Sequence, residues 1–152
     1  FNFCNISLHQ VLNEIGSAQS MNMKKGVELL LDFPGQEVAI YTDPTRLSQV
    51  INNLVNNAIK FTSEGNIRIG YRPAASDCVN IFVEDTGTGM SKEVIEHIFD
   101  RFYKGDAFKQ GTGLGLAICR TIVERFKGKI EVASTPGKGT RFTIILPLKV
   151  EE

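Results

Sequence analysis

The sequence contains no tryptophan, only three cysteines and no excess of either charge. The balanced charge and the few cysteines each argue against a class of partner or of structure. Seventeen basic and seventeen acidic residues balance, so bulk charge does not argue for nucleic acid or an anionic membrane as a partner. No apolar run approaches the roughly 18 residues of a membrane-spanning helix. Cys4, Cys78 and Cys119 are far apart and odd in number. We therefore expect reduced thiols in the core of a cytoplasmic protein, without disulfides.

The length of the chain favours one domain. A chain of 152 residues can bury a real core but is short for two domains. Because it begins at Phe1 and not at methionine, we expect residues 1–152 to be one domain of a longer protein. Strand patterns come in pairs between helix patterns. This order favours an α+β fold, a two-layer sandwich, over a doubly wound sheet.

Hydrophobic spacing and turn residues predict the individual elements. Helices are expected from Ser7 to about Met23, Asp43 to about Thr62, about Ser91 to Ile98, and about Gly113 to Phe126. Strands are expected at 1–6, 27–33, 37–42, 66–72, 78–85, 129–134 and 140–147. Asp43-Pro44 is the clearest start signal, because aspartate caps a helix and proline suits its first turn.

The predicted helix VINNLVNNAIKF, residues 50–61, contains four asparagines. Each asparagine costs a helix roughly 0.6 kcal/mol relative to alanine, so a solvated face would more often carry glutamate or lysine. At about 100° per residue, Asn53, Asn57 and Lys60 share the face opposite the apolar stripe. Asn52 lies near the edge of this face and Asn56 just inside it. Carboxamides beside a lysine suit Mg²⁺ bound together with phosphates, although a plain polar face remains the alternative.

The stretch DTGTGM, residues 85–90, follows directly on a predicted apolar strand. Asp85 is placed to accept a hydrogen bond from an amino group such as that of adenine. Gly87 and Gly89 permit positive φ and let the backbone approach a ligand closely. The alternative is a simple strand-to-helix turn with a capping aspartate.

The stretch GTGLGLAI, residues 111–118, has three alternating glycines that lead into an amphipathic helix. Free N–H groups and the positive helix end would point at one place, which is how backbone binds phosphate. The spacing is neither that of a Rossmann fingerprint nor that of a P-loop. Lys104 and Lys109, in the irregular segment before it, could reach a polyphosphate.

The asparagine helix, DTGTGM, FDRFYK and GTGLGLAI, in this order, closely resemble the catalytic ATP-binding domain of sensor histidine kinases, in the GHKL ATPase superfamily. The likeness runs from FNFCNI to the closing GKGTRFTIILP. It implies the Bergerat fold, a mixed, mostly antiparallel sheet of about five strands packed on three helices. It also implies ATP and Mg²⁺ as the bound nucleotide and metal.

The resemblance carries a role to individual positions. It implies that Asn53 ligates Mg²⁺, that Asn57 contacts the phosphates or the metal shell, and that Lys60 contacts phosphate, while Lys104 takes a position that is usually basic in the family. Asp85 would bind the adenine amine, with Gly87 and Gly89 shaping the pocket and Thr143 close to the adenine. The triphosphate would be wrapped by Gly111, Thr112, Gly113, Leu114 and Gly115. Phe99 and Phe102 would seat the lid between the two glycine-rich stretches.

One departure bears on mechanism. Clamp-type ATPases of the superfamily carry a glutamate that activates water where this chain has Gln49, so we expect slow ATP hydrolysis. His9 and His97 lack the surroundings of a phosphoacceptor, and we expect both to be structural or surface residues.

The implied function is transfer of the γ-phosphoryl group to a histidine on a dimerisation domain that these residues lack. A homodimeric parent would then pass the group to a response regulator receiver domain, without nucleic acid, in the cytoplasm or as the cytoplasmic part of a membrane-anchored sensor. The alternatives are a non-catalytic nucleotide-binding module, a gyrase- or MutL-type clamp and an anti-sigma serine kinase.

Overall fold

The computed structural model describes residues 1–101 and 115–149. The strands within them are β1 (Cys4–Ser7), β2 (Val27–Asp32), β3 (Ala39–Thr42), β4 (Gly65–Ala74), β5 (Cys78–Asp85), β6 (Lys129–Thr135) and β7 (Gly139–Pro147). The helices are α1 (Leu8–Ser20), α2 (Pro44–Phe61), α3 (Lys92–His97) and α4 (Gly115–Arg125). Each lies where a helix or strand was predicted, although α1 ends before Met23.

The main sheet has the strand order β2-β4-β5-β7-β6. β2 and β4 run parallel, and the other neighbouring pairs are antiparallel. The short strands β1 and β3 form a separate antiparallel pair. The prediction of a two-layer α+β fold with a mixed, mostly antiparallel sheet of about five strands is confirmed.

Local side chains start the helices as the sequence indicates. The Ser7 hydroxyl accepts the backbone N–H of Gln10 at the start of α1. The Asp43 carboxylate accepts the N–H groups of Thr45 and Arg46, at 3.0 and 3.1 Å, at the start of α2. Satisfying these otherwise unpaired donors stabilises a helix end by about 1 kcal/mol. The same carboxylate accepts the N–H of Asn2 at 2.8 Å, which ties the first residues to α2.

Helices α1, α2 and α4 cover one face of the main sheet and enclose the core with it. The core contains apolar side chains of α2, such as Leu47 and Leu54, and of the sheet, such as Ile67, Tyr71 and Ile144, each at most 1% exposed. Within the described ranges, none of the helices has both the length and the apolar character that a membrane crossing requires.

The opposite face of the sheet is polar. Arg72 and Asp32 form an ion pair with a 2.6 Å N–O distance, and Arg141 lies 3.8 Å from Glu84. The guanidinium carbon of Arg141 also lies 4.2 Å from the ring centroid of Phe82. Because exposed pairs typically contribute less than about 1 kcal/mol, the layer of helices on the other face supplies most of the stability.

The prediction that all three cysteines are core thiols is correct only for Cys119. Cys119 is buried, Cys78 is half-buried and Cys4 is exposed on an edge strand. Burial raises the pKa of the Cys119 thiol to about 11. The two histidines are in ordinary structural surroundings, since His9 contacts Tyr71 and the His97 Nδ1 lies 2.9 Å from Asp100.

Candidate functional site

A small, partly open cavity lies between α2 and the main sheet. Its walls come from α2, from the loop after β5 and from β7. The lining residues are Asn57, Ala58, Phe61, Asp85, Gly89, Met90, Thr140 and Phe142. The structure therefore brings the predicted asparagine helix and the DTGTGM loop to one site.

Asp85 is the last residue of β5 and is 8% exposed at the cavity wall. Burial raises the pKa of its carboxyl group above the usual value, although the backbone N–H groups of Gly87 and Thr140 act in the opposite direction. The Gly87 N–H donates to Oδ1 at 2.8 Å. A carboxylate held in this way can accept a further hydrogen bond from a ligand amine. Because its surroundings are buried and disfavour charge, the amine is expected to be a neutral one.

The loop after β5 packs directly on main-chain atoms, which explains both of its glycines. A Cβ on Gly87 would lie 2.2 Å from the carbonyl oxygen of Phe61. A Cβ on Gly89 would lie 2.1 Å from the carbonyl oxygen of Thr135, and Gly89 has a φ of +70°. The N–H of Thr88 donates to that same Phe61 carbonyl at 3.1 Å. Backbone contacts thus fix the loop against the C-terminal end of α2.

Two hydroxyl groups that the sequence reasoning missed support this loop from the sheet side. The Ser134 Oγ accepts the backbone N–H of Met90 at 2.8 Å. It also lies 2.8 Å from Oγ1 of Thr140, which lines the cavity. Ser134 and Thr140 are paired across β6 and β7. This pair connects the loop to the last strand of the sheet.

Thr143, which the resemblance places close to the adenine, is not among the residues that line this cavity. Side chains alternate along a strand, and Thr140 and Phe142 of β7 face the cavity. Thr143 therefore points to the opposite face of the sheet, where it pairs with Phe82. Thr140 is the threonine of this strand that borders the site.

The predicted phosphate and metal residues of α2 lie along the helix beside this cavity. Asn57 lines it. The Asn53 Nδ2 lies 3.5 Å from the carbonyl oxygen of Gly115, the first residue of α4. The Lys60 Nζ lies 5.3 Å from the ring centroid of Phe61. Asn53 thus faces the first turn of α4.

Several residues predicted to seat the lid or to contact the triphosphate lie between α3 and α4 or at the start of α4. Gly115 is described, and a Cβ placed on it would meet no atom of the described residues within 4 Å. Outside the described residues lie Phe102, Lys104, Lys109, Gly111, Thr112, Gly113 and Leu114.

Gln49 lies one turn before Asn53 on α2. Its Oε1 accepts a hydrogen bond from Nη1 of Arg46 at 3.1 Å. A carboxamide does not act as a base, so this position cannot activate water in the way that a glutamate would.

The comparison with known proteins agrees with this geometry. The family model for histidine kinase-, DNA gyrase B- and HSP90-like ATPases matches residues 42–150. The chain belongs to this family.

Two relatives within the family are sensor proteins. Sensor histidine kinase RcsC of Escherichia coli K12 is 45% identical over 119 residues, which are 76% of this chain and 12% of RcsC. Sensor protein SrrB of Staphylococcus aureus MRSA252 is 42% identical over 127 residues, which are 80% of this chain and 21% of SrrB. The chain thus spans about a fifth or less of the length of these relatives.

Solved structures of the family match the fold over nearly the whole chain. Full-length ShkA in complex with AMPPNP has a TM-score of 0.91 and 26% identity, covering 99% of this chain and 32% of ShkA. The nucleotide-free catalytic domain of histidine kinase ThkA has a TM-score of 0.86 and 28% identity, covering 98% of this chain and 99% of that domain. The predicted resemblance to sensor histidine kinase catalytic domains is confirmed.

Proposed function

We propose that this chain is the catalytic domain of a sensor kinase, which binds Mg-ATP and transfers the γ-phosphoryl group to a histidine of a separate dimerisation domain. The observation that carries the proposal is that one and the same cavity is lined by Asn57 of α2, Asp85 and Gly89 of the DTGTGM loop, and Thr140 of β7. These residues come from three separate parts of the chain, and only the fold brings them together.

We expect the adenine base to bind at this cavity. Met90 and Phe142 supply apolar walls for a flat aromatic ring. Asp85 supplies an acceptor for an exocyclic amine, and Thr140 lies beside it with a hydroxyl group. One charged acceptor in a mostly apolar pocket would orient the base and would distinguish amine from carbonyl groups.

Asn53 and Asn57 lie one turn apart, beyond the base and towards the start of α4. The described residues contain no group of three or more His, Cys, Asp or Glu side chains that could hold a metal by themselves. Mg²⁺ commonly takes few protein ligands and completes its shell with phosphate oxygens and water, so a carboxamide site of this kind fits it. When bound, the ion would neutralise charge on the phosphate oxygens.

The acceptor must come from elsewhere. Gln49 is held by Arg46 and supplies no base for water, so the site is suited to hold ATP without rapid hydrolysis. Transfer breaks the bond between the γ-phosphorus and the bridging oxygen, and ADP leaves as a histidine nitrogen forms the new bond to phosphorus. The dimerisation domain, the receiver domain that accepts the group next, a homodimeric parent and a cytoplasmic location are all part of this proposal.

Nucleotide binding is the first test, on the 152-residue chain. We expect Mg²⁺ to strengthen the binding of a fluorescent ATP analogue, and Asn57→Ala to weaken Mg-dependent binding by about tenfold or more. Asn13→Ala is the matched control, because Asn13 is an exposed asparagine of α1. Wild-type affinity in Asn57→Ala would contradict the assignment of this helix face.

Transfer is the second test. With γ-labelled ATP, we expect no stable label on the chain alone and label on an added histidine-bearing helical hairpin from the parent protein. Rapid ATP hydrolysis by the chain alone would argue against a kinase. Binding without transfer to the hairpin would favour the non-catalytic alternative.

A further inference from the structure

The four asparagines of α2 are divided between two neighbours. Asn53 faces α4 and Asn57 lines the cavity, whereas Asn52 and Asn56 face α1. There the Nε2 of Gln19 donates to Oδ1 of Asn52 at 2.9 Å and to Oδ1 of Asn56 at 3.2 Å. Each adjacent pair of asparagines therefore supplies one carboxamide to α1 and one to the candidate site.

Gln19 is bonded at both ends of its amide. Its Oε1 accepts Nδ2 of Asn22 at 3.0 Å, while both N–H bonds of its Nε2 go to α2. Gln19 is only 6% exposed. A buried amide without partners costs roughly 1–3 kcal/mol, so an apolar residue would be the simpler occupant of this position. The hydrogen bonds of Gln19 indicate a directional role.

The hydrogen bonds of Gln19 bear on the rotation of α2 about its own axis. Residues four apart lie nearly in line, whereas consecutive residues are rotated by about 100°. Two hydrogen bonds from one donor to Asn52 and Asn56, one turn apart, resist both rotation and sliding of α2. Asn53 and Asn57 each follow one of these residues directly, so holding one pair sets the direction of the other.

We propose that Gln19 is a positioning residue for the Mg-nucleotide site, acting through Asn52 and Asn56 on the direction of Asn53 and Asn57. The inference rests on the proposed function. Apolar packing also holds α2, through side chains such as Leu47 and Leu54. Such packing is not directional, so the hydrogen bonds would define the rotation more narrowly than the core alone.

The first experiment compares Gln19→Met with Gln10→Met in the same chain. Methionine keeps the length of glutamine without its donors, and Gln10 is an exposed glutamine of the same helix. Nucleotide affinity is measured with AMPPNP, with and without Mg²⁺. We expect Gln19→Met to lose about tenfold in Mg-dependent affinity, as for a partner that orients a metal ligand. Metal-free affinity should change less than twofold in either variant, and Gln10→Met should keep its Mg-dependent affinity.

The second experiment separates positioning from stability. Asn56 is exposed, and alanine favours a helix more than asparagine does. The helix propensity gained with alanine offsets part of the hydrogen bond that Gln19 loses, so we expect Asn56→Ala to leave the thermal midpoint close to that of the unsubstituted chain. Mg-dependent affinity should still fall, in the direction of Gln19→Met but by less. If Gln19, Asn52 and Asn56 only stabilised the fold, Mg-dependent affinity would instead fall only in variants with a lower thermal midpoint.

The outcomes separate the two proposals. Wild-type Mg-dependent affinity in Gln19→Met overturns the positioning role and leaves the proposed function intact. Absence of Mg-dependent binding in the unsubstituted chain overturns both. If Gln19→Met does not fold, Asn56→Ala decides, and unchanged affinity in that variant overturns the positioning role.

Discussion

The backbone N–H of Gly87 donates a 2.8 Å hydrogen bond to Oδ1 of Asp85, so the last residue of β5 is tied to the loop that it begins. Burial nevertheless keeps the pKa of Asp85 above its usual value of 3.8. The ionised carboxylate is thus less stable in the folded chain than in the unfolded chain.

A first prediction concerns Asp85→Asn. As pH rises from 3.8 towards the raised pKa of the folded state, the unfolded chain loses its Asp85 proton first, so this group makes the fold progressively less stable. Above the folded-state pKa the loss is complete. Asp85→Asn removes it, so we expect equal or greater stability at pH 7 in urea unfolding. Nucleotide affinity should fall roughly tenfold or more, since the new amide would face the adenine amine.

Glu84→Gln is the control for this prediction, because Glu84 lies beside Asp85 on the opposite face of β5 and pairs with Arg141. It should leave nucleotide affinity unchanged. Wild-type affinity in Asp85→Asn would show that Asp85 does not bind the base.

A second prediction compares two glycines with positive φ, Gly89 at +70° and Gly137 at +79°. Alanine in this conformation costs about 1–2 kcal/mol at either site. At Gly89 the added Cβ would also lie 2.1 Å from the Thr135 carbonyl oxygen, whereas at Gly137 none of the residues that the structure describes lies within 4 Å of it. We expect Gly89→Ala to lose at least about 2 kcal/mol more than Gly137→Ala in urea unfolding. Equal losses would contradict the contact with Thr135.

A third prediction concerns Gly115, the first residue of α4. Alanine has room there and should stabilise the helix by up to about 1 kcal/mol. If the backbone at Gly115 approaches the triphosphate, Gly115→Ala should weaken nucleotide binding in spite of equal or higher thermal stability. Gly35→Ala is the control, since a Cβ at Gly35 also meets no atom within 4 Å in the described part of the chain. Unchanged binding in Gly115→Ala would remove Gly115 from the site.

A fourth prediction concerns thiol reactivity. Only thiolates react rapidly with disulfide reagents, and the pKa of Cys119 is raised to about 11 by burial. A Cys4→Ser/Cys78→Ser variant, which keeps Cys119, should react at pH 8 at least about a hundredfold more slowly than a Cys78→Ser/Cys119→Ser variant, which keeps Cys4. In urea the two rates should converge. Fast reaction of the folded Cys119 variant would show that the thiol is accessible.

Local signals explain why so much of the fold could be predicted. The Asp43 cap and the proline after it act within one turn, and α2 begins at Pro44 as expected. The strand order β2-β4-β5-β7-β6 depends on pairings between distant segments, which periodicity does not determine. The parallel pair β2–β4 is one such pairing.

In the candidate site, too, local signals could be predicted and contacts between distant segments could not. Asn57, Asp85 and Gly89 were singled out by residue type and spacing, and they do meet at one cavity. Thr143 alternates with the cavity-lining Phe142, so its place near the adenine stays a prediction that this geometry does not favour. The partition of the asparagines could not be predicted, because it depends on which helix lies beside Asn52 and Asn56.

The two outer strands of the main sheet affect how separate copies of the chain meet in solution. β2 carries Glu28 and Asp32, while β6 begins with Lys129 and Glu131, whose charged groups lie 3.8 Å apart. A further strand added at either edge would have to pass these charges, and such charges discourage edge-to-edge association. We therefore expect the charged side chains of the two outer strands to disfavour aggregation through the edges of the sheet.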